Sequence, residues 1–178
     1  MQQMNVMYLT IYELSLSLVF SLITTYFATV FMNKFVLSKP VEWFIKEKHK
    51  SGCLISGALI LSVLYLVRGS ISESTTALQS LLISHNGFSL KILGIAFIYF
   101  LVFYTMTFFI SFVILFLISE IYRKMMAPID FDIEIEKKDN LGLSMFLVCI
   151  LFSIILFIEK PLNHFIGSLV FHEYLDKL

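Results

Sequence analysis

Four long apolar blocks constrain this chain more than any other feature of its sequence. They cover residues 9–32, 53–67, 92–118 and 141–158. A helix rises about 1.5 Å per residue and a bilayer's hydrocarbon core is about 30 Å thick, so such blocks predict membrane-crossing helices. The second and fourth blocks are short for a full span, and we expect both helices to extend at their cytoplasmic ends. The sequence therefore predicts an all-α integral membrane protein with four transmembrane helices.

Composition supports this class and argues against several others. Apolar residues make up 58% of the chain and charged residues 15%, against about 25% charged in soluble domains. A net charge of zero argues against nucleic-acid binding, which needs excess Lys and Arg. Cys53 and Cys149 lie inside apolar blocks, where packing is favoured over disulfide formation. We find no nucleophile–base pair, phosphate-binding loop or metal-ligand spacing, so we expect no enzymatic activity, no cofactor and no metal.

The distribution of Lys and Arg predicts the orientation of the helices. Nine basic residues lie in residues 33–50 and 119–140, and four lie in the segments on the other side. Because cytoplasmic loops carry the excess of basic residues, loops 33–52 and 119–140 are expected in the cytoplasm and both termini outside. The first block lacks a basic leader and a small-residue cleavage site, which favours a retained span over a signal peptide. We expect a multi-pass protein of the bacterial inner membrane.

Two segments beyond the blocks have helical amphipathic patterns. After the fourth block, one face carries Leu162, Phe165, Ile166, Leu169 and Val170. After the second block, a weaker pattern comprises Ala77, Leu78, Leu81 and Leu82. Both patterns predict short outer helices lying in the headgroup plane.

The two halves of the chain have the same order of parts. Each half has a long span, a charged loop, a glycine at a helix entrance, a short span and an amphipathic tail. At an offset of 90 residues, segments 45–67 and 135–157 align without gaps, and the matching pairs include Ile45 with Ile135, Lys48 with Lys138, and Gly52 with Gly142. We predict a tandem two-span repeat, residues 9–90 and 92–178, with its axis along the membrane normal.

This order and two segments, "EWFIKEKHKSGCLISGALIL" and "KKDNLGLSMFLV", resemble the small four-span bacterial inner-membrane proteins of the YjfL type, a family of unknown function. Asn140-Leu141-Gly142 fits that family's helix entrance, whereas Lys50-Ser51-Gly52 departs from it. In size, span count and composition the chain is also similar to the membrane subunit of the Kiwa anti-phage system. This second similarity implies a role in antiviral defence.

Two ladders with four-residue spacing run along the first and third blocks. The first contains Ser17, Ser21, Thr25 and Thr29, and predicts a helix-packing seam within or between subunits, with a pore lining as the alternative. The second contains Phe100, Tyr104, Phe108, Phe112 and Phe116. It predicts a lipid-facing wall or an oligomer interface, with a hydrophobic gate as the alternative. Glu13 is expected to reach the interface or to pair with Arg68 or Lys91.

The second charged loop contains a strict alternation of apolar and acidic residues: Phe131, Asp132, Ile133, Glu134, Ile135 and Glu136. Period two favours a strand that needs a partner, and the alternative is an amphipathic lead-in to the fourth helix, with acidic residues near its N-terminus where the helix dipole favours them. The first loop is basic and includes Lys46 and Lys48, so the two loops could bind each other. We predict that these eight residues form a docking surface for a cytosolic effector protein.

Together these patterns predict a non-enzymatic homo-oligomer in the lipid bilayer. It would act as a sensor or scaffold that couples a membrane or envelope event to the cytosolic effector. The alternative function is an oligomeric ion channel or pore lined by the first span.

Overall fold

The computed structural model describes residues 2–84, 89–125, 130 and 133–174. Within these ranges the chain forms five α-helices and two π-helical turns, and no β-strand. The elements in chain order are α1 (Gln2–Phe31), π1 (Met32–Val36), α2 (Val41–Lys46), α3 (Lys50–Ser84), α4 (Leu90–Met125), π2 (Ile133–Lys137) and α5 (Leu141–Tyr174). In the described part of the chain, α1, α3, α4 and α5 are long and apolar enough to cross a membrane, which confirms the predicted four spans.

The third helix, α3, lies at the centre of the bundle and packs against α1, α4 and α5. Half of its most apolar stretch is buried, against 17% for α1 and for α5. Small buried residues such as Ala58, Ser56 and Ser62 let the neighbouring helices approach closely. The Ser56 and Ser62 hydroxyls donate to carbonyls one turn earlier in α3, at 2.6 and 2.7 Å. These serines therefore provide small volume without leaving an unsatisfied polar group in the membrane.

Aromatic rings fill the contact between α1 and α4. The Phe20 ring lies 4.5 Å from the Phe100 ring, and Phe31 stacks on Phe112 at 4.1 Å. Phe100, Tyr104 and Phe112 are buried, Phe108 is partly buried and Phe116 is exposed. The ladder predicted to face lipid or another subunit therefore lies mostly inside one chain. That prediction was wrong for Phe100–Phe112 because α1 carries its own aromatic residues and packs on this face.

The predicted outer helices are continuous with the spans. Leu78 and Leu82 belong to the last turns of α3 and are buried against Ile92 and Ala96 of α4, and Ala77 beside them is also buried. This pattern therefore marks a packing face of α3 and not a separate outer helix. The helix α5 continues through Pro161, and its Leu162 is buried in the main core. The side chains of Ile166, Leu169 and Val170 lie outside the described residues.

The helices of the two short apolar blocks were expected to extend at their cytoplasmic ends, but they extend at the opposite ends. α3 begins at Lys50, close to the start of its apolar block, and continues far past residue 67 to Ser84. α5 begins at the first residue of its block and continues past residue 158 to Tyr174. A helix of 35 residues is about 52 Å long, more than the bilayer with its headgroups, so α3 projects or tilts.

An ion pair joins α3 and α5 near the middle of both helices. Arg68 Nη2 donates to Glu159 Oε1 at 2.9 Å, and the Arg68 guanidinium lies 4.0 Å from the centre of the Tyr65 ring. The structure thus pairs Arg68 with Glu159 rather than with Glu13, which is exposed.

Candidate functional site

The two charged loops meet at one end of the bundle, where α1 and α4 end and α3 and α5 begin. We call this region the loop-end platform: α2, residues 47–51, π2 and residues 138–140. Asn33 positions the first part, because its Oδ1 accepts the Val41 N–H at 2.9 Å at the start of α2. On the other side of the bundle end, Arg123 Nη2 donates to the Val36 carbonyl at 3.1 Å and so joins α4 to π1.

The first loop folds back onto α3 through one buried aromatic ring. Phe44 of α2 is 1% exposed and packs on Gly52, where any Cβ atom would overlap the ring. The chain then reverses at Lys48, whose φ of 55° lies in the left-handed region. The glycine at this helix entrance therefore makes room for Phe44, and with it for all of α2.

The second loop supplies the cap of a helix in the first half of the chain. Ser51 is the second residue of α3, so its N–H has no partner within the helix. That N–H donates to Asp139 Oδ1 at 2.8 Å, across 88 positions of sequence. His49 Nδ1 lies 3.1 Å from the same oxygen. The carboxylate thus satisfies a free donor at the positive end of the α3 dipole, where an anion is stabilised.

Asp139 is electrostatically adapted to this role. The hydrogen bond from the Ser51 N–H lowers the pKa of the Asp139 carboxyl below its ordinary value of 3.8. Its own φ is 48°, a left-handed conformation that Asp tolerates better than most residues. The carboxylate is therefore the charged form that ties the two loops at neutral pH.

The second helix entrance is capped from within its own loop. Asn140 Oδ1 accepts the Leu143 N–H at 3.1 Å and caps α5, as expected for an Asn at this position. Asn140 Nδ2 in turn donates to Glu134 Oε2 at 3.1 Å, and Lys138 pairs with Oε1 of the same carboxylate. The hydrogen bond from Lys138 lowers the pKa of Glu134 below its ordinary value. Glu134 thus holds π2 in the shape that presents Asn140 to α5.

The alternation in the second loop does not form a strand where the structure describes it. Ile133–Lys137 is a π-helical turn, and Asp130 Oδ1 accepts the Ile133 N–H at 3.2 Å at its start. The strand alternative is therefore wrong for these residues, since local backbone hydrogen bonds, such as Glu134 N–H to the Asp130 carbonyl and Lys138 N–H to the Ile133 carbonyl, satisfy groups that a partner strand would have satisfied. Phe131 and Asp132 lie outside the described residues, as does the side chain of Glu136.

An apolar cavity of about 120 Å³ lies directly beneath the loop-end platform. Three of the four long helices line it, with Leu59 of α3, Leu115 of α4 and Leu151 of α5, and Val36 of π1 closes the side below α1. The platform contributes Phe44 and Ile135. Arg123, Tyr122 and two serines add a few polar groups. A change in the spacing of the helices around this cavity would therefore move Phe44 and Ile135, which connect the cavity to the loops.

The predicted docking residues divide into three groups in the structure. Lys46, Lys48 and Ile133 are exposed and available to a partner. Glu134 maintains the π2 turn, and Ile135 lines the cavity rather than the surface. Within the described residues, Lys46 and Lys48 form no ion pair with the acidic loop. The loops do hold each other, but through Asp139, Ser51 and His49.

The Ser/Thr ladder lies on the outer side of α1. Ser21 is exposed, and Ser17, Thr25 and Thr29 are partly exposed. Each hydroxyl donates to a carbonyl of its own helix, for example Thr25 to Ser21 at 2.8 Å. The ladder is therefore not a seam within the subunit. The polar residue of α1 that does face the core is its neighbour Thr24, whose hydroxyl bonds Tyr104 at 2.9 Å.

Sequence inspection missed two contacts in this set. Leu16, Thr24 and Ala28 form the buried face of α1, which Met32 continues into π1. Their spacing of four or eight residues did not identify this face, because the Ser/Thr ladder has the same period. The contact of His49 with Asp139 had a fainter indication, because the two residues are aligned with each other at the 90-residue offset of the predicted repeat. Among the described residues, no group of three His, Cys, Asp or Glu side chains could hold a metal ion.

The fold defines the class of this protein as a multi-pass α-helical membrane protein. Comparison with protein families, with curated proteins and with solved structures finds no match to the chain.

Proposed function

We propose that the chain is a non-enzymatic, oligomeric four-span membrane protein that couples an event in the membrane or envelope to a cytosolic effector. The loop-end platform is the docking surface in this proposal, and it faces the cytoplasm of a bacterial cell. The observation that supports it most directly is the position of the platform over an apolar cavity lined by α3, α4, α5 and π1. If the similarity to the membrane subunit of the Kiwa anti-phage system extends to function, this event would be phage infection.

The connections within the platform suggest how a change would be transmitted. Asp139 joins the second loop to the start of α3, and Arg123 joins the end of α4 to π1. Phe44 and Ile135 extend from the loops into the cavity wall. A shift of α4 or α5 against α3 would therefore change the relative positions of α2 and π2, while Lys46, Lys48 and Ile133 present the change to a partner.

Site-specific photo-crosslinking in cells tests this proposal. A photoreactive amino acid is placed at Lys46 or Ile133, both exposed on the platform, and at Gln79 as a control, exposed near the opposite end of α3. We expect one discrete cytosolic protein to be captured from both platform positions and not from Gln79. Capture from Gln79 alone, or from neither end, would count against a cytosolic docking surface.

A labelling experiment checks the orientation that the proposal needs. In a variant with Cys53 and Cys149 replaced by Ser, a single cysteine at Lys137 should react with a membrane-impermeant maleimide only after permeabilisation. A cysteine at Gln79 should react in intact cells. The reverse pattern would place the platform outside the cell and remove its proposed partner.

A channel is the second candidate, and the position of the Ser/Thr ladder favours it. The ladder lies on the outer side of α1, where several copies could enclose it as a shared lining. Recording in planar bilayers distinguishes the two functions. Unitary currents that are altered by Ser21→Leu or Thr25→Leu would favour the channel, and an absence of current together with partner capture would favour the sensor.

A further inference from the structure

A groove of about 630 Å³ runs along the outer surface between α1 and α4. One wall carries Phe27, Val30, Phe31 and Phe35, and the other carries Phe108, Phe109, Phe112, Val113, Phe116 and Leu117. Most of these side chains are open to the surroundings, including Phe109 at 64% and Val113 at 58% exposed. Because both helices are membrane spans, the groove opens toward the acyl chains of the bilayer.

The groove exists because aromatic rings stand between the two helices. Phe31 stacks on Phe112 at 4.1 Å, and Phe27 meets Phe108 edge to face at 6.0 Å. These pairs form the floor, and the exposed residues on either side form the walls. From Phe27 to Phe35 the groove is about 12 Å long, close to the depth of one leaflet of the hydrocarbon core.

The loop end of the groove is positively charged. Lys34 is the one charged residue among the described residues that line it, and its Nζ lies 5.3 Å from the centre of the Phe35 ring. Arg123 lies at the same end of the bundle, bonded to the carbonyl of Val36. Glu120 follows the groove residue Leu117 in sequence and partly offsets this positive charge. Lys124, one turn after Glu120, adds to the positive charge again. An apolar trough of one-leaflet depth with a cation at its headgroup end has the two features of a phospholipid site.

We propose that this groove binds an acyl chain of an anionic phospholipid, such as phosphatidylglycerol, whose headgroup phosphate pairs with Lys34. A second copy of the chain would fill the apolar walls equally well, but it would bury the Lys34 ammonium without a counter-charge. The anionic lipid satisfies both the apolar walls and the cation. This inference does not rest on the effector proposal, since it concerns the face between α1 and α4 and needs no cytosolic partner.

Quenching of a single tryptophan by brominated lipids tests the site. The variant carries Trp43→Phe, which removes the native tryptophan, and Phe109→Trp, which places a reporter on the groove wall. It is reconstituted at equal mole fractions of two lipids, with the bromines either on phosphatidylglycerol or on phosphatidylcholine. A matched reporter, Leu156→Trp, lies on the exposed face of α5 and reports the bulk lipid.

We expect the groove reporter to show about a fivefold preference for the anionic lipid, as one basic residue near an anionic surface provides. The α5 reporter should show little preference. Lys34→Gln should bring the groove value down to that of α5, whereas Lys91→Gln, at the opposite end of α4, should leave it unchanged. Equal quenching by the two lipids, or a preference that survives Lys34→Gln, would overturn the proposal. Absence of quenching by either lipid would show that a second copy covers the groove, and would overturn it too.

Discussion

The two helix entrances at the loop end have the same plan but different dependence on the rest of the chain. The entrance to α5 is capped locally, because Asn140 lies next to the helix that it caps. The entrance to α3 depends on a distant residue, since Asp139 supplies its cap, and also on Phe44 of the preceding α2, which occupies the space above Gly52. A local cap makes an entrance that forms by itself. A distant cap makes the start of α3 sensitive to the position of the second loop, which is what a relay between membrane and platform would need.

Substitution of the two entrance glycines by Ala should give the largest difference. In Gly52→Ala the new methyl group overlaps the fully buried Phe44 ring, and we expect a loss of about 1–3 kcal/mol in stability from overpacking. In Gly142→Ala the nearest atom to the new Cβ is Asn140 Oδ1 at 3.5 Å, which is an ordinary contact. We expect that variant to be neutral or slightly more stable, because Ala favours helix over Gly. Thermal unfolding in detergent micelles measures both.

Shrinking the ring shows whether Phe44 causes the effect. If it does, Phe44→Leu should cost less in the Gly52→Ala background than in the wild type, and the coupling should exceed about 0.5 kcal/mol in a double-mutant cycle. Additive effects would mean that Gly52 matters for another reason.

Removal of the two caps should give a smaller but more informative difference. Asp139→Ala leaves the Ser51 N–H without its partner, and we expect a loss of about 1–2 kcal/mol, in the usual range for helix caps. Asn140→Ala should cost about 1 kcal/mol, because it removes one cap. Hydrogen exchange separates the two variants. Asp139→Ala should increase exchange at the start of α3, in the other half of the chain, whereas Asn140→Ala should affect α5. If hydrogen-exchange protection of α3 is unchanged in Asp139→Ala, the start of α3 does not depend on the second loop.

The same contrast explains which parts of the structure the sequence could predict. The four spans followed from the length of the apolar blocks, and Asn140 was assigned to a helix entrance, although not as its cap. The buried face of α1 could not be chosen, because Ser17, Ser21, Thr25 and Thr29 lie one position away from Leu16, Phe20, Thr24 and Ala28. Both sets of α1 residues have the same four-residue period. Only the aromatic face of α4 decides which of the two sets is buried. The bond from Ser51 to Asp139 joins residues that are far apart in the chain, and no local pattern marks it.

Two contacts between α3 and α5 and their entrances are consistent with the predicted repeat, but they do not test it. A two-fold axis between α3 and α5 would place equivalent positions of the two halves side by side. His49 and Asp139, which are aligned at an offset of 90, lie in contact at the loop end. Arg68 and Glu159 pair near the middle of α3 and α5 at a separation of 91 residues. The duplication stays a prediction, and the alternative offset of 91 also separates the starts of α3 and α5, at Lys50 and Leu141.

The smallest expected effect is the pH dependence of the distant cap, and its sign follows from the lowered pKa of Asp139. A carboxyl whose pKa is lower in the folded protein than in the unfolded chain stabilises the fold above the unfolded value, here 3.8. That contribution is lost as the pH falls through the lowered value. The stability difference between the wild type and Asp139→Asn should therefore be constant from pH 7 to about pH 5 and should shrink at more acidic pH. Ser62→Ala provides the control, since the hydrogen bond it removes, to the Ala58 carbonyl, joins two groups that do not titrate, and its difference from the wild type should not follow this profile. A difference for Asp139→Asn that is flat down to pH 3 would mean that the charge of Asp139 does not contribute. The start of α3 would then depend on the second loop through geometry alone.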